Sequence, residues 1–347
     1  YSYIGVFVIF INLFLVILLT IIEGDKLVIY SLFVVIVSLL SFLIPYIYIK
    51  IHFKNVNYKS SLDIKLFKSM LSFTGWSLYG NLSGVGFNQG VSILLNIFFG
   101  PTVNAARAVS SQINGALLGI VGNVNMAANP QIIRNYSSGE KKAMIDLVFS
   151  TSKYSFLCLS LISLPVLVNI DYILNLWLGD VPKYSREFSV LVIIDALVCG
   201  FSGSLMTSIQ ATGRIKYYQI TIGTILLLNI PMSYIFLNHY ENAIIPFLIT
   251  IFLSFIAFNF RVFFMKKYLE ISIVEYYKYV VFGAVSSFVL SLISIILIKE
   301  AIPLVRDSFV LTMILCPIIS VFSIWYIALN RKEKKFIKNK IRAINNK

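Results

Sequence analysis

The amino-acid sequence predicts an all-α, polytopic helical membrane protein with about ten transmembrane helices. Three observations predict this class: 58% of the residues are hydrophobic, only 13% are charged, and the mean hydropathy is +0.86. An ordinary soluble domain has about a quarter of its residues charged. Helices are predicted because runs such as VFVIFINLFLVILL do not alternate apolar and polar residues as membrane-spanning strands do.

Ten segments have the length and apolarity of a spanning helix, which needs about 20 mostly apolar residues. We expect spans at 4–22, 27–49, 70–98, 104–128, 146–169, 187–210, 216–237, 243–265, 277–298 and 308–329.

The basic residues between the spans predict the orientation of the chain. Six of the 29 Lys and Arg residues fall at odd-numbered junctions, and the other 23 fall at even-numbered junctions and in the tail. Because cytoplasmic loops are enriched in Lys and Arg, both ends of this chain are predicted to be cytoplasmic. The basic tail, 331–347, is expected to bind anionic membrane lipids. Nucleic acid is excluded as a partner, since the basic residues are spread over all these loops and form no single patch.

The longest hydrophilic interval, 50–69, is the predicted boundary between two lobes. It is basic and amphipathic, so that a linker and a helix lying on the membrane surface fit it equally well. Proline lacks an amide hydrogen and clashes with the preceding turn, so Pro130 is expected to break the fourth helix. Three further prolines are expected to kink later spans: Pro165, Pro231 and Pro317.

The third and fourth spans carry polar stripes. At 100° per residue, one face of the third span holds Ser77, Asn81, Asn88, Ser92 and Asn96. One arc of the fourth holds Asn104, Arg107, Ser111, Asn114, Asn125 and Asn129. The amides either form hydrogen bonds between helices or line a water-filled path, and two long stripes with an arginine favour the path. The glycines at positions 80, 84, 86 and 90 fit close helix approach or helix bending.

Asp195 is the only carboxylate well inside a predicted span, which makes it a candidate for coupling to a cation; a buried structural carboxyl is the alternative. No metal site or cofactor is predicted. His52 and His239 lie on opposite sides of the membrane, and the three cysteines have no metal-ligand spacing. The sequence has no phosphate-binding Gly-Lys-Ser/Thr loop, His-Glu-x-x-His or nucleophile-elbow motif, so an enzyme is not expected.

Several segments together resemble one family. They are FTGWSLYGNLSGVGFNQGVSILLNIFFGPTVNAARAVSSQINGALLGIVGNVNMAANPQIIRNYSSGE, DYILNLWLGDVPKYS, QATGRIKYYQI and RVFFMKKYLEISIVEYY. Their order and spacing resemble polysaccharide and O-antigen flippases (Wzx type) of the multidrug/oligosaccharidyl-lipid/polysaccharide exporter superfamily. The resemblance implies a MATE-like bundle of two lobes. This chain would lack the first four helices, so its first lobe is incomplete and we expect it to be a fragment of a longer protein or a truncated gene product.

The resemblance also implies an organisation. The last two helices of the first lobe would occupy 1–50, a basic cytoplasmic linker or interfacial helix 51–69, and the six-helix second lobe 70–265. Two additional helices would occupy 266–330 and a basic cytoplasmic tail 331–347.

The implied function is transport, in the bacterial plasma (inner) membrane, of a polyprenyl-diphosphate-linked oligosaccharide for O-antigen or other surface polysaccharide, by alternating access. The substrate-path candidates are Asn81, Asn88, Gln89, Arg107, Asn114, Asn125, Asn129 and Arg134. The expected partners are this lipid-linked substrate, a coupling cation (H⁺ or Na⁺) that would use Asp195, and polysaccharide-assembly proteins. Two alternatives stay open: a cation-coupled multidrug exporter of the same superfamily, and a membrane enzyme of polysaccharide assembly.

Overall fold

The fold is known from a computed structural model, which describes residues 2–21, 25–52, 63–331, 333–335, 338–339 and 342. Within these residues the regular structure is entirely helical. The chain divides into two compact units, Tyr1–Phe67 and Lys68–Lys347, each described here by itself. Most of the predicted linker, namely 53–62, lies outside the described residues.

The first unit contains two helices that pack against each other, α1 (Ser2–Ile21) and α2 (Lys26–His52). Asp25 begins α2 as its cap: its Oδ1 accepts hydrogen bonds from the backbone amides of Leu27, at 2.9 Å, and Val28, at 3.4 Å. The cap satisfies amides that have no partner within a first helical turn. Most of the apolar side chains described on α2 are exposed, as expected of a helix surrounded by lipid.

Two long helices follow, α3 (Ile64–Phe99) and α4 (Pro101–Ser137), of 36 and 37 residues. Gly100 alone joins them, with a φ of +80° that suits a residue without a Cβ. The predicted break at Pro130 is wrong, because α4 continues through this proline to Ser137. A single proline removes one backbone hydrogen bond, and packing on both sides can hold the helix; Ile132, just beyond it, is fully buried in the core.

The rest of the second unit consists of shorter helices. They are α5 (Lys141–Val168), α6 (Ile170–Leu178), α7 (Ser185–Gly200), α8 (Ser202–Ala211), α9 (Lys216–Leu227), α10 (Asn229–His239), α11 (Ile245–Leu269), α12 (Ile273–Tyr276), α13 (Gly283–Ala301), α14 (Pro303–Asp307) and α15 (Phe309–Ser323). Two π-helical segments, Tyr277–Phe282 and Ile324–Ala328, join α12 to α13 and extend α15.

The predicted proline kinks have different outcomes. The helix breaks at Leu228, between α9 and α10, as expected from the clash between the ring of Pro231 and the carbonyl four residues earlier. Pro165 and Pro317 lie within the continuous helices α5 and α15, where a kink stays a prediction because a helix can bend at a proline without being interrupted.

Eight helical stretches among the described residues are long and apolar enough to cross a membrane. They are Lys26–His52, Ile64–Phe99, Lys141–Val168, Ser185–Ala211, Lys216–His239, Ile245–Leu269, Ile273–Ala301 and Phe309–Ala328. The chain is thus an all-α protein with the helices of a polytopic membrane protein. Helices lie at all ten predicted places. Two of them are not among the eight stretches: within the described residues α1 contributes only the shorter apolar stretch Val8–Leu19, and α4 is long but not apolar enough.

The core of the second unit lies mainly between α4, α5, α7, α8 and α11. Phe156 of α5 stacks on Phe201, between α7 and α8, with ring centroids 4.3 Å apart. Phe188 of α7 stacks on Phe247 of α11 at 4.1 Å. These stacked rings fix α7 between α5 and α11, which sets the polar side chains of α4, α7 and α11 around a common space.

Candidate functional site

A cavity of about 210 Å³ lies inside the second unit. Apolar residues form part of its lining, and α3, α4, α7 and α11 contribute the polar residues. These are Asn88, Arg107, Ser111, Asn114, Asp195, Thr250, Ser254 and Arg261. A water molecule occupies about 30 Å³ in the liquid, so the cavity has room for about seven waters or one small polar group.

Arg107 is the central cation of this cavity, and only 8% of the residue is exposed. Its Nε donates to Ser92 Oγ at 2.7 Å, and its Nη2 donates to the backbone carbonyl of Asn88 at 2.8 Å. The guanidinium also lies 5.6 Å from the ring centroid of Phe247, a cation–π distance. Among the described residues, Nη1 has no hydrogen-bond acceptor and no carboxylate lies within 4 Å of this arginine.

Asp195, on α7, lines the same cavity and faces a different cation. Ser254 and Arg261, both on α11, line the cavity with it. The Sγ of Cys199 lies 4.0 Å from Asp195 Oδ2, while Oδ1 is buried without a hydrogen-bond partner in the described structure. Arg261 does not lie within salt-bridge distance of any described carboxylate, Asp195 included. It donates long hydrogen bonds, of 3.4 Å, to Tyr218 and Ser202.

Two of the predicted amides line the cavity with Arg107. Asn88, on α3, donates to the carbonyl of Gly84 at 3.0 Å. Asn114, on α4, has its Oδ1 buried without a hydrogen-bond partner in the described structure. A buried carbonyl without a partner costs free energy, so Asn114 Oδ1 is available to accept a hydrogen bond from water or from a bound molecule.

Two further amides of the α4 stripe contact α8 and do not line this cavity. Asn129 Oδ1 accepts a hydrogen bond from Thr207 at 2.9 Å. Asn125 is buried against Gly203, where an added Cβ would collide with the amide nitrogen. The Asn129 bond is an interhelical hydrogen bond, whereas Asn125 only packs against α8, and its Oδ1 is buried with no partner in the described structure.

The three remaining path candidates are exposed side chains outside the cavity lining: Asn81 and Gln89 on α3, and Arg134 near the end of α4.

The glycines of α3 mostly allow close packing against α9 and α10. A Cβ on Gly80 would collide with Gln219, and one on Gly90 would lie 2.5 Å from Cδ1 of Ile230. Gly86 would meet Leu227 at 3.4 Å, whereas Gly84 meets no atom within 4 Å and instead lines the cavity. The close approach predicted from their spacing is thus seen at most of these positions.

A buried ion pair lies away from the cavity and links α5 to the start of the tail. Lys153 Nζ is 2.8 Å from Glu333 Oε2, with 4% and 15% of the two side chains exposed. The hydroxyl of Tyr154 also donates to Glu333, at 3.2 Å. Asn330 and Glu333 form a reciprocal pair: each side chain accepts from the other's backbone amide, at 2.9 and 2.7 Å. This is a capping box, which begins a helix.

Sequence reasoning missed two features of this arrangement. Arg261 lines the cavity from α11, and its place in the apolar run FNFRVFF, inside the predicted span 243–265, is the signal that could have indicated it. The pairing of Lys153 with Glu333 joins residues 180 positions apart, and no local pattern indicates it.

Comparison of the chain with protein-family models gives no match, and neither curated proteins nor solved structures match it. The chemistry of the cavity is therefore the main guide to function.

Proposed function

We propose that this chain forms part of a membrane transporter, a flippase that moves a lipid-linked oligosaccharide across the plasma membrane for surface polysaccharide synthesis. One observation carries the proposal: Arg107 is buried in a polar cavity within a unit of membrane-length helices, and no described carboxylate pairs with it. A buried charge without an opposite charge beside it is costly even when it is hydrogen-bonded, and a bound anion would lower that cost. A diphosphate or an acidic sugar is such an anion.

The amides beside Arg107 support a substrate that also carries hydroxyl groups. The free Oδ1 of Asn114 accepts a hydrogen bond, and the Nη1 group of Arg107 can donate one. A volume of about 210 Å³ suits one phosphate or sugar, not a whole oligosaccharide. The cavity is accordingly proposed as a head-group subsite of a longer path, while the polyprenyl tail stays in the bilayer.

The other proposed partners follow from the same transport function. Asp195, with its free Oδ1, is the proposed site for a coupling H⁺ or Na⁺. Anionic lipids would hold the basic tail, and polysaccharide-assembly proteins would deliver the substrate and use the product. The proposed location is a bacterial inner membrane, with both ends of this chain in the cytoplasm.

The test places substitutions of Arg107 and Asn114 in the chromosomal gene and measures surface polysaccharide, normalised to the amount of protein in the membrane. Arg107→Lys is expected to keep part of the activity and Arg107→Glu to lose it, because only lysine preserves attraction for an anion. Asn114→Leu is expected to lower transport without lowering abundance, because Asn114 Oδ1 has no bond to lose.

Arg306→Glu is the matched control, since Arg306 is exposed and lies outside the cavity lining. Normal polysaccharide from both Arg107→Glu and Asn114→Leu, at normal abundance, would refute the proposed subsite. A loss of abundance limited to the Arg107 variants would show only that the arginine connects α4 to α3. In that case Asn114→Leu decides between the two roles of the cavity: lowered polysaccharide at normal abundance supports the subsite, and normal polysaccharide refutes it.

Asp195 favours a second candidate function, a cation-coupled multidrug exporter. A carboxylate with a free buried oxygen is a suitable group for exchanging a proton or sodium ion during transport. In such an exporter, Asp195→Asn would abolish drug resistance and leave surface polysaccharide unchanged. In the flippase, the same substitution would reduce polysaccharide and leave drug resistance unchanged.

A further inference from the structure

A second cavity, of about 520 Å³, lies where the first turns of α3 come close to the loop that begins α9. Its base is apolar and aromatic, with Met70, Phe73, Trp76 and Ile215. Its polar lining comprises three hydroxyl side chains and two cations: Ser69, Ser72, Thr74, Arg214 and Lys216. All of these residues belong to the second unit.

The positive charge of this cavity is not compensated within the described structure. Arg214 and Lys216 are both exposed, neither has a carboxylate within 4 Å among the described residues, and no carboxylate lines the cavity. Two other surface cavities with basic residues differ in this respect. One is lined by Lys153 together with its ion-pair partner Glu333, and the other contains Glu300 beside Lys299.

The two cations are held by the local fold. Gly213 has a φ of +71°, which turns the chain sharply between α8 and α9 and suits a residue without a Cβ. Lys216 Nζ then lies 5.2 Å from the ring centroid of Trp76. A cation–π contact of this kind restrains the long lysine side chain without neutralising its charge.

The surroundings of the cavity indicate that its ligand comes from the membrane. Met70 and Phe73 are exposed apolar side chains in the first part of α3, a helix long and apolar enough to span a bilayer. Trp76 adds an indole, the side chain enriched at membrane–water interfaces. Cations and exposed apolar side chains around one cavity match a lipid, which has both a phosphate head group and acyl chains.

We propose that this cavity is a binding site for the phosphate head group of an anionic phospholipid. Arg214 supplies a forked donor for phosphate oxygens, Lys216 a second charge, and Ser72 and Thr74 hydroxyl donors. The acyl chains lie along Met70 and Phe73. The site depends on no assumption about transport, because it uses neither the polar cavity nor its substrate.

Trp76 allows a direct test in the full-length protein. Trp177 and Trp325 are the other two tryptophans among the 347 residues, so Trp177→Phe with Trp325→Phe leaves Trp76 as the single tryptophan of this chain. The protein is reconstituted in equimolar phosphatidylglycerol and phosphatidylcholine, with brominated acyl chains on one lipid or the other. Bromine quenches a tryptophan that it contacts, so the ratio of the two quenching values measures which lipid occupies the site.

The expected preference for phosphatidylglycerol is on the order of tenfold, because two basic side chains act together near an anionic lipid. Arg214→Gln with Lys216→Gln is expected to reduce it to about onefold. The matched control is Lys266→Gln with Lys267→Gln, two exposed basic residues at the end of α11 that do not line the cavity. These substitutions remove the same charge and should leave the preference intact.

Equal quenching by the two lipids in the parent protein would overturn the proposal. An equal loss of preference in both double variants would also overturn it, because the net positive charge of the protein would then explain the effect. Thermal unfolding of each variant shows that it is folded. If Arg214→Gln with Lys216→Gln does not fold, the single variant Lys216→Gln is used, with an expected partial loss of preference.

Discussion

Replacing Glu333 by glutamine should weaken the attachment of the tail to α5. The substitution leaves Lys153 charged, with 4% of its side chain exposed and no carboxylate beside it. Removing one partner of a buried ion pair commonly costs about 3 to 5 kcal/mol. Because 15% of the Glu333 side chain is exposed, water can partly replace it. We therefore expect the substitution to lower the free energy of unfolding by about 3 kcal/mol.

The glutamine variant separates the ion pair from the helix cap. Glutamine can still accept from the backbone amide of Asn330, as in a capping box, so Glu333→Gln removes the charge alone. Glu333→Ala removes the charge and the cap bond, and should cost about 1 kcal/mol more. The double variant Lys153→Met with Glu333→Gln removes both charges, and it should recover most of the loss, since no ion is left buried without a partner.

Thermal unfolding in detergent and limited trypsin digestion measure this effect. If 1 kcal/mol lowers the melting temperature by about 2 °C, Glu333→Gln should lower it by roughly 6 °C. Trypsin should cleave after Lys334 and Lys335 faster than in the parent protein, because the start of the tail is released. An unchanged melting temperature in Glu333→Gln, or a double variant no more stable than Glu333→Gln, would refute this account of the ion pair.

Three other predictions concern helix packing and topology. Gly90→Ala should destabilise the protein by about 1 to 3 kcal/mol, because the new Cβ would overlap an isoleucine of α10. Gly84→Ala should not destabilise it, because the space around Gly84 is open, and thermal unfolding of the two variants compares them directly. Asn129→Ala should cost about 0.6 to 1.7 kcal/mol through loss of its interhelical hydrogen bond, with surface polysaccharide per protein molecule unchanged. A cysteine at position 183 should be labelled by an impermeant reagent added to intact cells, and a cysteine at 141 should not; the reverse pattern would contradict the predicted orientation.

The positions of the helices were predictable because long apolar runs are a local property of the sequence. The behaviour at Pro130 was not, because the proline rule describes a helix alone and tertiary packing holds α4 on both sides.

The polar stripe of α4 shows which part of the site can be predicted from the sequence and which part cannot. Arg107, Asn114 and Asn129 share one face in the sequence, but the neighbouring helix changes along that face. The first two meet the cavity beside α7, and Asn129 meets α8. Helical periodicity gives the direction of a side chain but not its neighbour, so the stripe alone could not separate cavity-lining amides from hydrogen bonds between helices. Arg261, by contrast, could have been found from its apolar surroundings.

The unbroken length of α4 has a mechanical consequence. With 37 residues at about 1.5 Å each, the helix is roughly 56 Å long, more than the 40 to 45 Å of a bilayer with its head groups. A rod of this length is a lever: a rotation of about 10° around one end would move the other end by about 10 Å. Arg107 lies two turns from the first end, and Arg134 lies in the last turn before the second. A small displacement at the arginine in the cavity would thus be amplified into a large one at the far end of α4.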